Sequence, residues 1–216
     1  MANTSKKMGR PFRSETEQPT DEKILDTAIS LFSKYGYDKI SVREIAEGAG
    51  ISEGAIYRHF TGKENILDTI FSRAEQFVYT PLPAESASDS RSIFYGLLAP
   101  LPKIIRSDPQ ILPVMRIMYA EMHHNNKIEE YYLQHYCDTA VAHLQNIFER
   151  EIEKGRIIKC DAENLARVFN AFRSDWAFKT FLLERNPPPS DAEILEDLKG
   201  PVSFFETLFL QVQGPV

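Results

Sequence analysis

Cysteine and tryptophan are scarce in this 216-residue chain, which has two of the first, Cys137 and Cys160, and one of the second, Trp176. Two thiols make no disulfide framework; they fit a reducing cytoplasm and read as structural rather than redox residues. Long apolar runs are absent. None approaches the roughly 18 residues of a membrane span, so no membrane partner is expected. The charged N-terminus has no hydrophobic segment behind it, so no signal peptide is expected. No phosphate loop, zinc motif or nucleophile–base pattern is present, which argues against an enzyme and against a cofactor. His123, His124, His135 and His143 contain no i, i+4 pair, so no metal is expected either. Net positive charge is missing as well: the formal charge is −6, which argues mildly against nucleic acid as a partner for the whole surface.

The distribution of charge matters more than its sum. Residues 1–13 contain Lys6, Lys7, Arg10 and Arg13 and no acid, which leaves −10 on the rest. A basic arm on an acidic body suits local contact with DNA. Gly9-Arg10-Pro11 has the composition of an extended hook for the narrow, negative minor groove. A merely solubilising tail fits equally well. The arm, 1–17, is expected to be disordered in the free protein.

The chain is organised around residues 41–63, SVREIAEGAGISEGAIYRHFTGK. Ser41 and Glu44 have capping-box spacing and predict a helix from Val42. Ile45, Ala46 and Ala49 give it one apolar face, and Gly50 follows where a left-handed residue is wanted. Ser52 is placed to cap a second helix over 53–59. Thr61 and Glu64 form another box that starts a further helix. This is the pattern of a helix-turn-helix, whose second helix lies in the DNA major groove.

Upstream, Thr20 is read as the N-cap of a helix carrying Ile24, Leu25, Ala28, Ile29 and Phe32, which Gly36 ends. Downstream, apolar spacing carries a helix from Lys63 to about Thr80. Residues 81–92 break the pattern. A helix over 93–106 should be kinked or divided by Pro100 and Pro102. Helices are expected over 109–124, 127–154 and, capped by Asp161, 162–184. The last runs from Asp191, is interrupted at Gly200-Pro201, and resumes to Val212. No convincing strand is present. The fold class is all-α: a three-helix helix-turn-helix domain over 18–78 (motif about 41–60), then a helical bundle over 79–216, about nine helices in total.

Two helices are apolar well beyond one stripe. Val168, Ala171, Phe178 and Leu182 extend the face of 162–184, and Phe204, Phe205, Leu208 and Phe209 widen that of the last helix. Such helices must be covered nearly all round, and these eight residues predict a homodimer interface. A two-fold dimer also presents two reading helices to two half-sites.

With the runs ILDTAISLFSKYGYDKISVREIA, GAGISEGAIYRHF and TGKENIL in place, residues 18–78 resemble the TetR family of bacterial and archaeal transcriptional regulators. The stretch MRIMYAEMHHNNKIEEYYLQHY also looks like one of that family's ligand-domain patterns. The resemblance implies a dimer that binds an operator, usually as a repressor, and leaves it when a small molecule enters the C-terminal bundle. It places DNA contacts at Arg43, Ser52, Glu53, Ala55, Tyr57, Arg58, His59 and Lys63. The chemistry agrees for most of them. Tyr57 and His59 can donate to phosphate, Lys63 lies at a helix start, and Arg43 reaches phosphate or guanine. Ala55 suits a thymine methyl, and Gly54 permits close backbone approach. Glu53 would repel phosphate; it reads a cytosine amine or serves only the helix dipole. The acids and bases of 41–63 balance, so the arm is expected to supply much of the salt-dependent affinity.

A pocket for a small apolar or amphipathic effector needs aromatic and apolar walls with few polar groups. The candidates are Phe94, Met115, Met118, Tyr119, Met122, Tyr132, Tyr136, Phe169, Phe172, Arg173 and Trp176. Arg173 needs a partner: Asp175, another internal acid, or an anionic ligand. Two other readings fit the same residues, a DNA-binding regulator without a small-molecule effector and a helical interaction module.

Overall fold

Caps and apolar spacing account for most of the elements in the computed structural model, which describes residues 18–78, 93–183 and 187–210, with the side chains of 74–78 outside that description. The expected arm residues Lys6, Lys7, Arg10 and Arg13 lie outside it too. Helix α1 (Thr20–Tyr35) buries Ile24, Leu25, Ala28, Ile29 and Phe32. Thr20 is its first helical residue rather than its cap, because Pro19 occupies that position and its carbonyl accepts from Lys23 N at 3.0 Å. Helix α2 (Val42–Ala49) starts on the expected Ser41–Glu44 box and stops at Gly50, in the left-handed region with φ 64°. Helix α3 (Glu53–Ile56) is shorter than predicted. Gly54 is a weak helix former, and Tyr57–His59 continue as a tight turn, with His59 N donating to Ile56 O at 2.8 Å. Ser52 precedes α3 without a side-chain cap bond. At the start of α4 (Lys63–Val78) the expected Thr61–Glu64 box gives way to Asn65, whose Oδ1 accepts from Thr61 N at 3.2 Å. Glu64 accepts from Lys127 instead, at 3.2 Å.

Pro100 and Pro102 divide α5 (Ile93–Leu98) from α6 (Leu101–Ser107), as their missing N–H groups require. Helix α7 (Ile111–Glu121) follows. Helix α8 (Asn126–Tyr131) runs through a π-helical stretch, Tyr132–Asp138, into α9 (Thr139–Glu153). Asp161 caps α10 (Ala162–Ala177) by accepting from Asn164 N, and a second π stretch, Phe178–Leu182, continues it. Helix α11 (Asp191–Phe209) opens on a Ser190–Glu193 capping box and does not stop at Gly200-Pro201. Ile194, Leu198, Val202 and Phe205 are buried on one face across the proline, and their packing outweighs the one backbone bond that Pro201 removes. At its end, Phe209 O accepts from Ile158 N at 2.8 Å.

Two apolar clusters result. The second is phenylalanine-rich: the Phe94 ring lies 5.7, 5.6 and 5.4 Å from those of Phe148, Phe169 and Phe205. The first joins α1–α4 to Val114, Ile117 and Met118 of α7 and Ile128 of α8. Helices α1–α4 therefore complete their core with residues from far along the chain.

Helix α2 meets α1 at Gly48. A Cβ there would lie 2.8 Å from Thr27 Cγ2, and that side chain is held because its Oγ1 donates to Lys23 O at 2.8 Å. Gly48→Ala is expected to cost about 1–3 kcal/mol by overpacking. In chemical denaturation, Gly48→Ala combined with Thr27→Ser should recover most of the loss, because serine lacks the offending methyl.

Candidate nucleic-acid interface and ligand cavity

The α2–α3 turn presents a polar, uncommitted surface. Ser52, Glu53, Gly54, Arg58 and His59 are exposed, and the Tyr57 side chain is too, at 54%. Among the described residues Tyr57, Arg58 and His59 form no ion pair or side-chain hydrogen bond. A Cβ added at Gly54 meets nothing within 4 Å, so no internal packing demands this glycine. Arg43 is exposed and pairs with Glu47 at 2.9 Å; a solvated pair of this kind is worth little and opens readily to a phosphate.

Two of the expected contacts are placed differently. Ala55 is 6% exposed and faces the core with Ile56, because one helical turn places it on the side of α3 that packs inward. Its methyl is not free for a thymine. The Lys63 ammonium donates to Tyr37 O at 2.9 Å and lies 4.2 Å from the centre of the Tyr37 ring, so it is engaged in holding the α1–α2 turn.

That turn is also tied to the bundle. Tyr37 N donates to Glu121 Oε1, at the end of α7, at 2.8 Å. Burial, with Glu64, Asp38, Asp68 and Glu121 nearby, pushes the Tyr37 phenol up to about 12, so it stays neutral. Other bonds cross the same junction. Arg73 donates to Glu22 at 2.6 Å, Gln110 donates to Asp26, and Tyr131 OH donates to Phe71 O at 2.8 Å.

Behind this junction lies a cavity of about 140 Å³. Its walls come from α1 (Leu25, Ile29), α4 (Ile70, Arg73), α6, α7 (Ile111, Val114, Met115, Tyr119), the first π stretch (Tyr136) and α10 (Arg173, Ser174, Ala177). Of the residues expected there, Met115, Tyr119, Tyr136 and Arg173 line it. The others do not. Phe94 and Phe169 are fully buried in the second cluster, and Phe172 packs on Phe169 and Phe205. Trp176 meets Phe181 edge-on, Met118 and Met122 belong to the first cluster, and Tyr132 stacks behind Tyr136. Nothing in the spacing distinguishes a wall residue from a core residue. The contributions of α1 and α4 were hidden because their apolar faces read only as reader core.

Arg173 Nη2 donates to Asn170 Oδ1 at 2.7 Å, and Asn170 Nδ2 donates to Tyr136 O at 3.2 Å. Asp175, the partner nearest in sequence, is taken by Lys179 at 2.8 Å. Burial lowers the Arg173 pKa, and Tyr119 and Tyr136 oppose that shift. The two thiols are half-buried, and burial raises both.

Of the residues read as an interface, Val168, Phe204 and Leu208 are 60%, 60% and 48% exposed, and Ala171 is exposed beside them. Leu182 and Phe205 are buried within this subunit, and Phe178 and Phe209 are half-buried. The uncovered apolar strip is thus narrower than the composition of α10 and α11 implied.

Residues 24–70 match the family model described as bacterial regulatory proteins, tetR family, and residues 104–209 match the one described as AefR-like transcriptional repressor, C-terminal domain. The HTH-type transcriptional regulator AcrR of Shigella flexneri is 40% identical over 68 residues, 32% of this chain and 31% of the relative. The chain thus aligns with about a third or less of the length of the curated relatives it matches. Among solved structures, a transcriptional regulator from Aquifex aeolicus VF5 superposes with a TM-score of 0.68 at 21% identity, over 87% of this chain and 99% of that one. SmeT in complex with triclosan superposes at 0.69 and 19% identity, over 92% and 95%. At these identities the likeness is one of fold.

Substitutions at two positions probe this geometry in thermal or urea unfolding. Gly54→Ala should stabilise the protein by about 0.5–1 kcal/mol, because an exposed helical glycine is replaced with no steric conflict. Glu121→Ala should destabilise it by about 1–3 kcal/mol by leaving the Tyr37 N–H without its acceptor, and Glu121→Gln, which keeps an acceptor oxygen, should recover most of the loss.

Proposed function

The chain belongs to the tetR family of bacterial regulatory proteins, and we propose that it is a cytoplasmic, dimeric, sequence-specific DNA-binding repressor that a small molecule releases from its operator. The observation that carries the DNA half is the exposed, uncommitted set Ser52, Glu53, Gly54, Tyr57, Arg58 and His59 on and flanking α3. Tyr57 and His59 would hold phosphates and Arg58 would reach a base edge or phosphate. Gly54 lets the backbone come close, and Arg43 joins when its pair with Glu47 opens. The basic arm, Lys6, Lys7, Arg10 and Arg13, would add salt-dependent affinity. On this reading residues 18–78 read DNA and 79–216 bind ligand and the second subunit.

The dimer would form through the exposed Val168, Ala171, Phe204 and Leu208 of α10 and α11, which sets the spacing of two reading turns. Support for an effector comes from the cavity, whose walls include α1 and α4 of the reader itself. SmeT, of similar fold, has a solved structure in complex with triclosan. A ligand bound there acts on both halves at once. It would favour a dimer whose reading turns are spaced wrongly for the operator, which is a shift of population between two arrangements. The repressor sense is supported by the description of the model matched by the C-terminal part.

Footprinting and gel shift on the DNA flanking its own gene test the proposal. The expected result is protection of a two-fold site with affinity that falls steeply with salt. Arg58→Ala should lose about 1–3 kcal/mol of operator binding if it reads a base, with the fold unchanged, and Tyr57→Phe should weaken binding by removing a phosphate donor. Absence of any sequence-preferring, salt-sensitive binding would overturn it.

A further inference from the structure

The polar groups on the cavity wall are not equally satisfied. Arg73 is paired with Glu22 at 2.6 Å, and Gln110 donates to Asp26. Arg173 differs. Its one hydrogen-bond partner among the described residues is the neutral Asn170 Oδ1, at 2.7 Å, and no carboxylate of the described residues forms an ion pair with it. The guanidinium cannot shed its proton, so the wall carries a fixed positive charge, and a partly desolvated cation without a counter-charge is unfavourable. Burial acts on it in the expected direction, lowering its pKa. Four of its five N–H donors have no partner among the described residues, and their planar fork matches a carboxylate through two parallel hydrogen bonds. Around it the walls are apolar: Leu25, Ile29, Ile70, Ile111 and Val114.

Resting on the effector reading above, we infer that the cavity takes a small carboxylic acid, its anion on Arg173 and its apolar body against α1, α4 and α7. Ser174 lies in the same wall, and its hydroxyl can complete the carboxylate's hydrogen bonding. Size follows from volume. The cavity holds about 140 Å³, and an apolar cavity of about 150 Å³ accommodates benzene. The part it encloses is therefore about one aromatic ring or a chain of about six carbons, and the open side of the cavity leaves room for a longer body. A neutral molecule of that size would leave the cation uncompensated, and an amine would add a second one. The carboxylate also joins α10 to the reader's own helices α1 and α4, so its binding energy is delivered at the junction that positions the α2–α3 turn.

The test uses the full chain with benzoate and hexanoate against two shape-matched controls, benzyl alcohol and benzylamine. Binding is read by calorimetry and by the fluorescence of Trp176, the one tryptophan, three residues from Arg173. The carboxylates should bind about 10-fold or more tighter than the alcohol, and the amine should not bind. Arg173→Met should weaken benzoate by about 10- to 100-fold, the worth of a charged hydrogen-bonded contact, and Arg173→Lys should keep part of the affinity. Ligand-free Arg173→Met should melt no lower than the natural protein, because it removes an uncompensated charge; a purely structural arginine would give a lower melting temperature, overturning the inference. Equal or tighter binding of the alcohol or amine to the natural protein overturns it as well, without reliance on any variant. Operator release is scored separately by gel shift. Carboxylate binding without release overturns the effector reading and leaves the site; release by a neutral compound, with no carboxylate bound, overturns the site and leaves the effector reading.

Discussion

Tyr37 is where the two halves of the molecule are joined. Its ring packs edge-on against Phe32 of α1 with centroids 5.1 Å apart. Its carbonyl holds the first residue of α4, Lys63, and its amide is held by the last residue of α7, Glu121. One residue of a short turn thus fixes α1, α4 and a helix of the bundle. A buried N–H or ammonium that lost its partner here would cost more than the bond is worth in water, so the three connections stand together.

The shared apolar cluster makes this junction stiff. Val114, Ile117 and Met118 fill the space under α1 and α4, and close-packed interiors move between discrete arrangements rather than deforming smoothly. The cavity lies along the same boundary, with Leu25 and Ile29 of α1 and Ile70 of α4 in its wall. Its walls thus join α1 and α4 directly to α7 and α10, with no intermediate helix between them. The reader's own charge is modest, since Arg43 is balanced by Glu47 and Lys63 is engaged internally. Geometry, not electrostatic strength, has to position it on DNA.

Local chemistry was legible in part: Thr20 did not become a cap, Ser52 makes no cap bond, and Asn65 took the place of Glu64 at the start of α4. The Ser41–Glu44 box, the left-handed Gly50, the Asp161 cap and the break at Pro100 and Pro102 are each set by backbone hydrogen bonding within a few residues, and all were expected. Features that depend on distant packing were not. Pro201 reads as a stop, yet α11 passes through it because four buried side chains hold both sides in register. The π stretches at Tyr132–Asp138 and Phe178–Leu182 each re-aim one face of a helix, and apolar spacing carries no signature of them. Ring contacts bring both stretches to Tyr119, which packs on Tyr132 and on Phe178.

The candidate site divides the same way. That residues 41–60 hold two helices about a glycine turn is written in cap spacing and apolar period, both short-range, whereas the early end of α3, which leaves Tyr57, Arg58 and His59 on a turn, is not. Which apolar residues wall a cavity and which fill a core was decided in the folded molecule, because a side chain's exposure to a void depends on every helix packed around it. Phe94 and Phe169 went to the core and Met115, Tyr119 and Tyr136 to the cavity, though all five are equally apt by type. The same holds for Arg173. Its sequence neighbour Asp175 was one of the expected counter-charges; that acid pairs with Lys179 one helical turn on, and the packing around α10 left the cation on the cavity wall.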